Sequence, residues 1–447
     1  MQIVCQLRPS KESNRVFTRA IHLLVVLLAL VLLGQSAQPA AAQSGPLVAF
    51  QNAAGQLVVT SADGVYRWVL TNPGETLSPA LGFRWSQNGS RLFFAVDEGG
   101  EVSLRSADVA GQAINEIGRV TSGGLSGGEW TPDHSGVLVA ANDRLTWYPV
   151  SGQAVDILAG QGPVSLRTPA QDSRFGWRAL SPDARTLIYR DSAGTTVALP
   201  LTGGASVPLT SGADPSLPGG LWAEDGGLVA VAGANEIVVF SPVTGVSARW
   251  PGASAVPPAP LLWWPGTSLL LVQDGAGAIR SADMSCLRSG PCDPFPASFP
   301  VLAASARGLR AAGDWLVYLD GDGVFAVPSG CLSAGSCAPV PVAASVSPGS
   351  AMDARGGALA YTAYTADPNN PSDREARVVD LACLNSGSCA PQTVAPGAQA
   401  GGLSPDGRLL IVSGPAGLLL TDRTSGAQML LSDPAPGQTP ASARWNG

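Results

Sequence analysis

The sequence predicts an all-β protein that folds as a single closed β-propeller of about eight to nine four-stranded blades. The first observation is a repeated turn: residues 403–411 read LSPDGRLLI, with Ser-Pro-Asp-Gly between apolar residues. Related turns follow Leu180, Trp130 and Trp85, at intervals of roughly 40 to 50 residues, the length of one propeller blade. The second observation is that the two chain ends carry complementary parts of one further unit. Both features indicate a ring of stacked sheets.

The repeated turn contains residues that favour a reversal of the chain. In residues 404–407, Pro presets one backbone angle, Asp bonds locally and Gly closes the turn without a side chain. Apolar runs follow at residues 92–96, 137–140 and 186–189, too short for helices and too continuous for surface strands, so they predict strands buried on both faces. The residues before the turns mark nine units: Trp85, Trp130, Leu180, Trp222, Trp264, Ala312, Met352, Leu403 and Trp445.

The end units are each incomplete, and their missing parts match. Residues 47–72 supply strand-like runs without a preceding turn. Residues 441–447 supply Trp445, a residue of the kind that precedes each turn and that we call the anchor, without following strands. We therefore expect the C-terminal strand to pair with the region of residues 47–60 and complete the first blade. Such closure removes open sheet edges, which promote aggregation. Because propellers usually have four to eight blades, one weak unit could be degenerate, which leaves eight or nine blades.

The Ser-Pro-Asp-Gly turn and its flanking strands resemble the repeats of TolB-like β-propellers, which are related to WD-repeat propellers. The resemblance covers about residues 47–447 and is strongest at the turns that contain Ser404, Ser181, Thr131 and Ser86. The units around Ala312 and Met352 depart from the pattern. The resemblance implies a fold and not an activity, because propellers include both binding platforms and enzymes.

Residues 1–42 predict a cleaved secretory signal peptide, followed by a propeller domain at 43–447. Basic residues precede an apolar run at 21–33, and small residues follow at 40–42. A retained membrane anchor is the alternative, although the apolar run is short for a span. Cleavage would remove four basic residues and one acidic residue, so the formal net charge would change from −7 to −10. The sequence thus predicts an exported domain with a periplasmic, cell-surface or extracellular location and no nucleic-acid partner.

Six cysteines repeat one pattern three times and predict three disulfide bonds. The pairs are Cys286 with Cys292, Cys331 with Cys337, and Cys383 with Cys389. We expect the five residues between each pair to form the tip of an outer hairpin. Disulfides also favour an exported location. A zinc site is the alternative, but the spacing does not match the usual zinc patterns and histidine is not nearby.

The sequence contains little that indicates catalysis. Its two histidines are His22, in the predicted signal, and His134, which we expect to be a solvated turn residue. No nucleophile elbow, phosphate-binding loop or histidine metal motif appears, and no cofactor is expected. These observations favour a protein without catalytic activity.

Carboxylates are the remaining candidate site residues. Asp97, Asp191, Asp274 and Asp320 each follow the first long apolar strand of their units, so blade geometry predicts that they share one face of the ring. They would form an acidic rim, with Asp320 and Asp322 as the best oxygen ligands for a calcium ion. The alternative is that these residues only form hairpin turns.

One long polar loop lies between the strands at 361–364 and 377–381. Its candidate binding residues are Asp367, Asn369, Asn370 and Asp373. Long loops on rigid scaffolds often carry binding sites, although a loop without function is the alternative.

Two functions remain open from the sequence. The first is an exported, non-catalytic interaction platform, expected to be a monomer, that binds an envelope or extracellular protein or another ligand. The alternative is a propeller hydrolase or lyase that acts on a polysaccharide or peptide with paired carboxylates in the channel.

Overall fold

The computed structural model describes residues 45–159, 177–211, 220–251, 259–274, 278–292, 306–334, 338–347, 350, 352–367, 370–434 and 443–446. The predicted signal peptide at 1–42 lies outside these ranges. Among the residues that are described, no helix is both long and apolar enough to cross a membrane.

Within the described ranges, antiparallel strands form nine sheets, which are the nine blades of a closed propeller. Blade 1 contains Ala443–Trp445, Leu47–Gln51, Leu57–Ser61 and Arg67–Val69. Blade 2 contains Thr76–Leu77, Phe83–Trp85, Arg91–Asp97, Glu101–Asp108 and Ala113–Thr121. Blade 3 contains Leu125–Trp130, Gly136–Ala141, Arg144–Pro149 and Val155–Ala159. Blade 4 contains Thr186–Arg190, Thr196–Pro200 and Val207–Thr210, with Leu180 bridged to Leu187 at its inner edge.

The remaining blades follow the same order. Blade 5 contains Gly220–Trp222, Val229–Ala232, Glu236–Phe240 and Ser247–Pro251, and Trp177–Arg178 pairs with its first strand. Blade 6 contains Ala259–Trp263, Leu269–Gln273 and Ile279–Asp283. Blade 7 contains Arg307–Ala312, Trp315–Asp320, Gly323–Pro328 and Val340–Ala343. Blade 8 contains Asp353–Arg355, Ala358–Tyr364, Arg374–Asp380 and Gln392–Pro396. Blade 9 contains Gln399–Leu403, Leu409–Gly414, Gly417–Asp422 and Gln428–Ser432.

The predicted closure of the ring is confirmed. Ala443–Trp445 pairs antiparallel with Leu47–Gln51, and Val48 is opposite Trp445. Asn446 extends this pairing, because its side-chain Oδ1 accepts the Leu47 N–H at 2.6 Å and its own N–H bonds to the Leu47 carbonyl at 3.0 Å. The first blade is therefore assembled from both ends of the chain.

The core consists of apolar clusters between neighbouring blades. Side chains alternate along a strand, so Phe94 packs in the cluster shared with blade 1 while Phe93 packs in the cluster shared with blade 3. Nine such clusters among the described residues link each blade to the next, and the last joins blade 9 to blade 1. This explains the continuous apolar runs, because both faces of these strands are buried.

Tryptophans join the first strands of successive blades. The Trp85 indole N–H donates to the Arg444 carbonyl at 3.1 Å, and the Trp130 indole donates to the Arg84 carbonyl at 3.0 Å. The first strands therefore meet at the centre of the ring. In blade 6 the predicted anchor, Trp264, is wrong by one residue, because Trp263 donates to the Leu221 carbonyl at 2.8 Å.

In blade 6 the tryptophan that bonds to the preceding blade lies one residue earlier than the sequence predicts, because Trp264 belongs to the turn itself. Trp264 takes the place of Ser86, since its N–H bonds to the Leu269 carbonyl as the Ser86 N–H bonds to the Arg91 carbonyl. Blades 7 and 8 also depart from the repeated turn, as their sequences indicate. There the first two strands are joined by two-residue turns, at 313–314 and at 356–357.

The cysteine segments contain short helices, which corrects the expectation of simple hairpin tips. The helices are Ser285–Arg288, Gly330–Ala334 and Leu381–Asn385, each after the third strand of its blade. Cys286 is bonded to Cys292 and Cys383 to Cys389. Cys331 is also in a disulfide, and its expected partner, Cys337, lies outside the described residues. A further short helix, Pro371–Asp373, precedes the third strand of blade 8.

Each cysteine helix places a leucine between two blades. Leu287, Leu332 and Leu384 are buried in the clusters that join their blade to the preceding one. A helical turn directs the leucine inward while the flanking cysteines stay near the surface. The leucine of each Cys-Leu pair therefore packs between neighbouring blades, while the disulfide closes a loop.

Candidate functional site

The predicted acidic residues lie in the connections between the second and third strands of their blades. We call the side of the ring that carries these connections the loop face, and the side that carries the turns between first and second strands the turn face. Asp97 ends the strand Arg91–Asp97, Asp191 follows Thr186–Arg190, and Asp274 follows Leu269–Gln273. Because all blades have the same strand order, these residues share the loop face.

Asp97, Asp191 and Asp274 each bond within their own connection. Asp97 Oδ1 accepts the Gly99 N–H at 3.0 Å, and Asp191 Oδ1 accepts the N–H groups of Ala193 and Thr195 at 3.0 and 2.8 Å. Asp274 accepts the Ala278 N–H at 3.0 Å and forms an ion pair with Arg280 at 2.7 Å. These carboxylates stabilise their turns by accepting backbone N–H groups.

Asp320 closes a turn of its own blade, whereas Asp322 contacts the neighbouring blade. Asp320 pairs with Gly323 to close a two-residue turn in blade 7. The Tyr364 hydroxyl of blade 8 donates to Asp322 Oδ2 at 3.1 Å, and this bond raises the pKa of Tyr364. The Asp322 carbonyl accepts the Val346 N–H at 2.8 Å, so both the backbone and the side chain of Asp322 make contacts outside its own turn.

The long loop of blade 8 begins at Tyr364 and folds around Asp373. Asp373 Oδ2 accepts the Asp367 N–H and the Asn370 side-chain amide, both at 3.1 Å. The Asp373 carbonyl accepts the Thr365 N–H at 2.9 Å, and Asn370 Oδ1 accepts the Ser372 N–H at 3.1 Å. Asn369 lies outside the described residues. Asp322, Tyr364 and the described loop residues 365–367 and 370–373 thus lie together, and we call this set the rim patch.

The acidic side chains on the loop face do not gather into one cluster. Within the part of the chain that the structure describes, no three His, Cys, Asp or Glu side chains are arranged to hold a metal ion. Asp97, Asp191 and Asp274 belong to blades 2, 4 and 6, whereas Asp320 and Asp322 belong to blade 7, beside the long loop. Among the predicted residues that the structure describes, Asp322 lies beside the loop that carries Asp367, Asn370 and Asp373.

Charged residues on the first strands were missed by the sequence reasoning. Glu129 and Asp353 are buried and accept backbone N–H groups of the next blade: Glu129 from Ala179 and Leu180, and Asp353 from Leu403. These carboxylates join blades. The sequence does contain a signal for charged residues on the first strands. A charged residue directly precedes the tryptophan before the turn in the pairs Arg84-Trp85, Glu129-Trp130 and Arg444-Trp445.

Comparisons with known proteins show the fold of this chain and no more. No protein-family model matches the chain, and no curated protein matches it. It resembles the crystal structure of the eukaryotic initiation factor at 11% identity and a TM-score of 0.59, over 86% of this chain and 94% of that chain. Two further similar structures are the C-terminal WD40 domain of Sif2, at 15% identity and a TM-score of 0.45 over 76% and 95% of the chains, and TolB from Acinetobacter baumannii, at 16% identity and a TM-score of 0.32 over 55% and 62%. At these identities a likeness shows the fold alone: the chain is a β-propeller protein.

Proposed function

We propose that this protein is an exported, non-catalytic propeller that presents the rim patch to a protein partner at the cell envelope or outside the cell. The observation that carries the proposal is the folded long loop. The described residues of this loop, 365–367 and 370–373, fold around Asp373, and the preceding Tyr364 bonds to Asp322 of blade 7. Binding to a surface that is already folded costs less conformational entropy than ordering a loose loop.

The charge of the protein favours a basic partner. The formal net charge is −7, and cleavage at the predicted site would make it more negative, −10. Acidic groups on the loop face would attract a basic surface and make association sensitive to salt. The bonded cysteine pairs, Cys286–Cys292 and Cys383–Cys389, support an oxidising location such as the periplasm or the cell exterior.

The test compares capture of partners from envelope extracts by the wild-type protein and by a rim-patch variant. The variant lacks residues 367–373 and carries Asp320→Asn and Asp322→Asn. We expect at least about tenfold weaker capture, because the loop surface and its charges are removed together. The melting temperature should change little, since the described residues among them are exposed or half-buried.

A matched control changes charge on the opposite face. Asp183→Asn with Asp406→Asn removes two charges from the turn face and keeps an acceptor oxygen for the backbone N–H groups of Arg185 and Arg408. Capture by this control should equal that of the wild type. Full capture by the rim-patch variant would show that the loop face is not the binding surface.

A further inference from the structure

The turn of blade 2 carries a chemically labile pair of residues, Asn88-Gly89. The backbone nitrogen that follows an asparagine can attack the side-chain amide, and the attack is least hindered when the next residue is glycine. Here the turn itself requires that glycine, because Gly89 has a φ of 67°, in the left-handed region. Asn88 is exposed on the turn face, between Phe83–Trp85 and Arg91–Asp97. The turn therefore brings a reactive sequence to the surface of the ring.

In the folded turn, hydrogen bonds hold both of the groups that would react. Asn88 Oδ1 accepts the Ser86 hydroxyl at 2.8 Å, and it accepts the N–H and the hydroxyl of Ser90 at 3.1 and 2.8 Å. The Gly89 N–H donates to the Ser86 carbonyl at 2.9 Å. The attacking nitrogen is thus bonded to Ser86, and the side chain that it would attack is bonded to the two serines. The closed turn therefore opposes the reaction.

The equivalent position is an aspartate in other blades. Asp133 Oδ1 in blade 3 accepts the N–H and the hydroxyl of Ser135 at 3.1 and 2.8 Å. Asp183 Oδ1 in blade 4 accepts the backbone N–H two residues later at 3.1 Å. A carboxylate can thus form the bonds that the Asn88 amide oxygen forms. An aspartate at residue 88 would therefore fit the closed turn.

The blade 2 turn also lies against the end of the chain that closes the ring. A Cβ at Gly89 would be 3.1 Å from the Cβ and Nδ2 atoms of Asn446. Asn446 in turn bonds to the N–H and the carbonyl of Leu47. A longer main chain at residues 88–89 would displace Gly89 within this contact, so it would disturb closure of the ring.

We propose that Asn88 is a modification site that becomes aspartate or isoaspartate when the blade 2 turn opens and is protected while the turn is closed. In the open turn, the Gly89 nitrogen gives its proton to hydroxide and forms a bond to Asn88 Cγ. The side-chain nitrogen takes a proton from water and leaves as ammonia. Water then opens the resulting cyclic imide at one of its two C–N bonds.

The two products differ in whether they can return to the folded ring. The aspartate product keeps the length of the main chain and can form the bonds of the closed turn. The isoaspartate product has one more carbon in its main chain between residues 88 and 89, so it opposes closure of the ring. This inference goes beyond the proposed function, because it concerns how opening of blade 2 leaves a permanent change in the chain.

The test follows the conversion of Asn88 by peptide mass spectrometry at mildly alkaline pH, in native buffer and in guanidinium chloride. We expect the reaction to be at least about tenfold slower in native buffer, because the turn must open first. Ser90→Ala removes one bond to Asn88 Oδ1 and should speed the native reaction about fivefold. Ser135→Ala removes the equivalent bond of blade 3 and should leave the native rate at Asn88 unchanged. In guanidinium chloride all three proteins should react at the same rate.

A second readout separates the two products. Protein aged in guanidinium chloride is refolded, and isoaspartate at residue 88 is measured by enzymatic methylation in the folded and aggregated fractions. We expect isoaspartate to be depleted from the folded fraction, whereas Asn88→Asp should fold and melt like the wild type. Equal reaction rates in native buffer and denaturant, an equal effect of Ser135→Ala, or isoaspartate in the folded fraction at its starting proportion would each overturn the proposal. A lower melting temperature for Asn88→Asp would contradict the fit of the aspartate product.

Discussion

Two glycines bring the turns of blades 8 and 9 into backbone contact. Gly356 and Gly407 have φ angles of 52° and 72°, in the left-handed region that favours glycine. A Cβ at Gly407 would overlap the Arg355 carbonyl oxygen, and a Cβ at Gly356 would overlap the Asp406 carbonyl. The repeated Gly therefore permits the turn, and at this interface it also lets neighbouring blades approach.

We expect Gly407→Ala to destabilise the protein by at least about 3 kcal/mol, because the new methyl group must displace backbone atoms. Gly426→Ala is the matched control: its φ is also 72°, but no atom lies near the added Cβ. That change should cost about 1 kcal/mol through backbone strain alone. Urea unfolding of both variants measures the difference, and equal losses would contradict a contact between the turns.

The cysteine helices act at the scale of one element. Leu384 is buried between blades 7 and 8, and the helix of blade 6 bonds to blade 5 through Arg288 and Asp225 at 2.6 Å. The Thr244 hydroxyl of blade 5 also donates to the Leu287 carbonyl at 3.0 Å. These segments therefore join adjacent blades by burial, and the blade 6 helix adds an ion pair and a hydrogen bond to blade 5.

We expect Leu384→Ala to destabilise the protein more than removal of the neighbouring disulfide. Truncation of a buried leucine costs about 3 kcal/mol through lost burial and the cavity left behind. Replacing Cys383 and Cys389 by serine opens a loop of few residues, which costs about 2 kcal/mol. Chemical unfolding of both variants makes the comparison, and a larger loss for the serine variant would show that the covalent bond dominates.

At the scale of the whole molecule, the ring closes through the short strand Ala443–Trp445. Trp445 packs against blade 9, and its indole N–H donates to the Gly402 carbonyl at 2.9 Å. Trp85 in turn donates to the Arg444 carbonyl, so this strand is held from both sides. Without it, Leu47–Gln51 would become an open edge.

We expect a chain that ends at residue 442 to aggregate, because the exposed edge can pair with other chains. Trp445→Phe is the control: it keeps the strand and loses one hydrogen bond, so it should remain monomeric and lose about 1 kcal/mol of stability. Size-exclusion chromatography with light scattering and thermal unfolding distinguish the two. A monomeric truncated chain with unchanged melting would contradict closure by this strand.

Features set by neighbouring residues were predictable from the sequence by itself. The turn at Ser404, the buried runs, the near-neighbour cysteine pairs and the acidic turns depend on local spacing and on residue types with strong backbone preferences. The ring closure was also accessible, because the two ends carry complementary parts of one sheet. The number of blades became definite only in the structure, since two blades replace the repeated turn with shorter ones.

Tertiary structure decided which distant side chains meet. Asp322 and Tyr364 are 42 residues apart, and Arg178 and Gln87 are 91 apart. The sequence indicated acidic residues on one face, but it could not show that most bond within their own turns while Asp322 reaches the next blade. Local preferences fix turns and strands, whereas the circular packing of blades determines which residues of different repeats become neighbours.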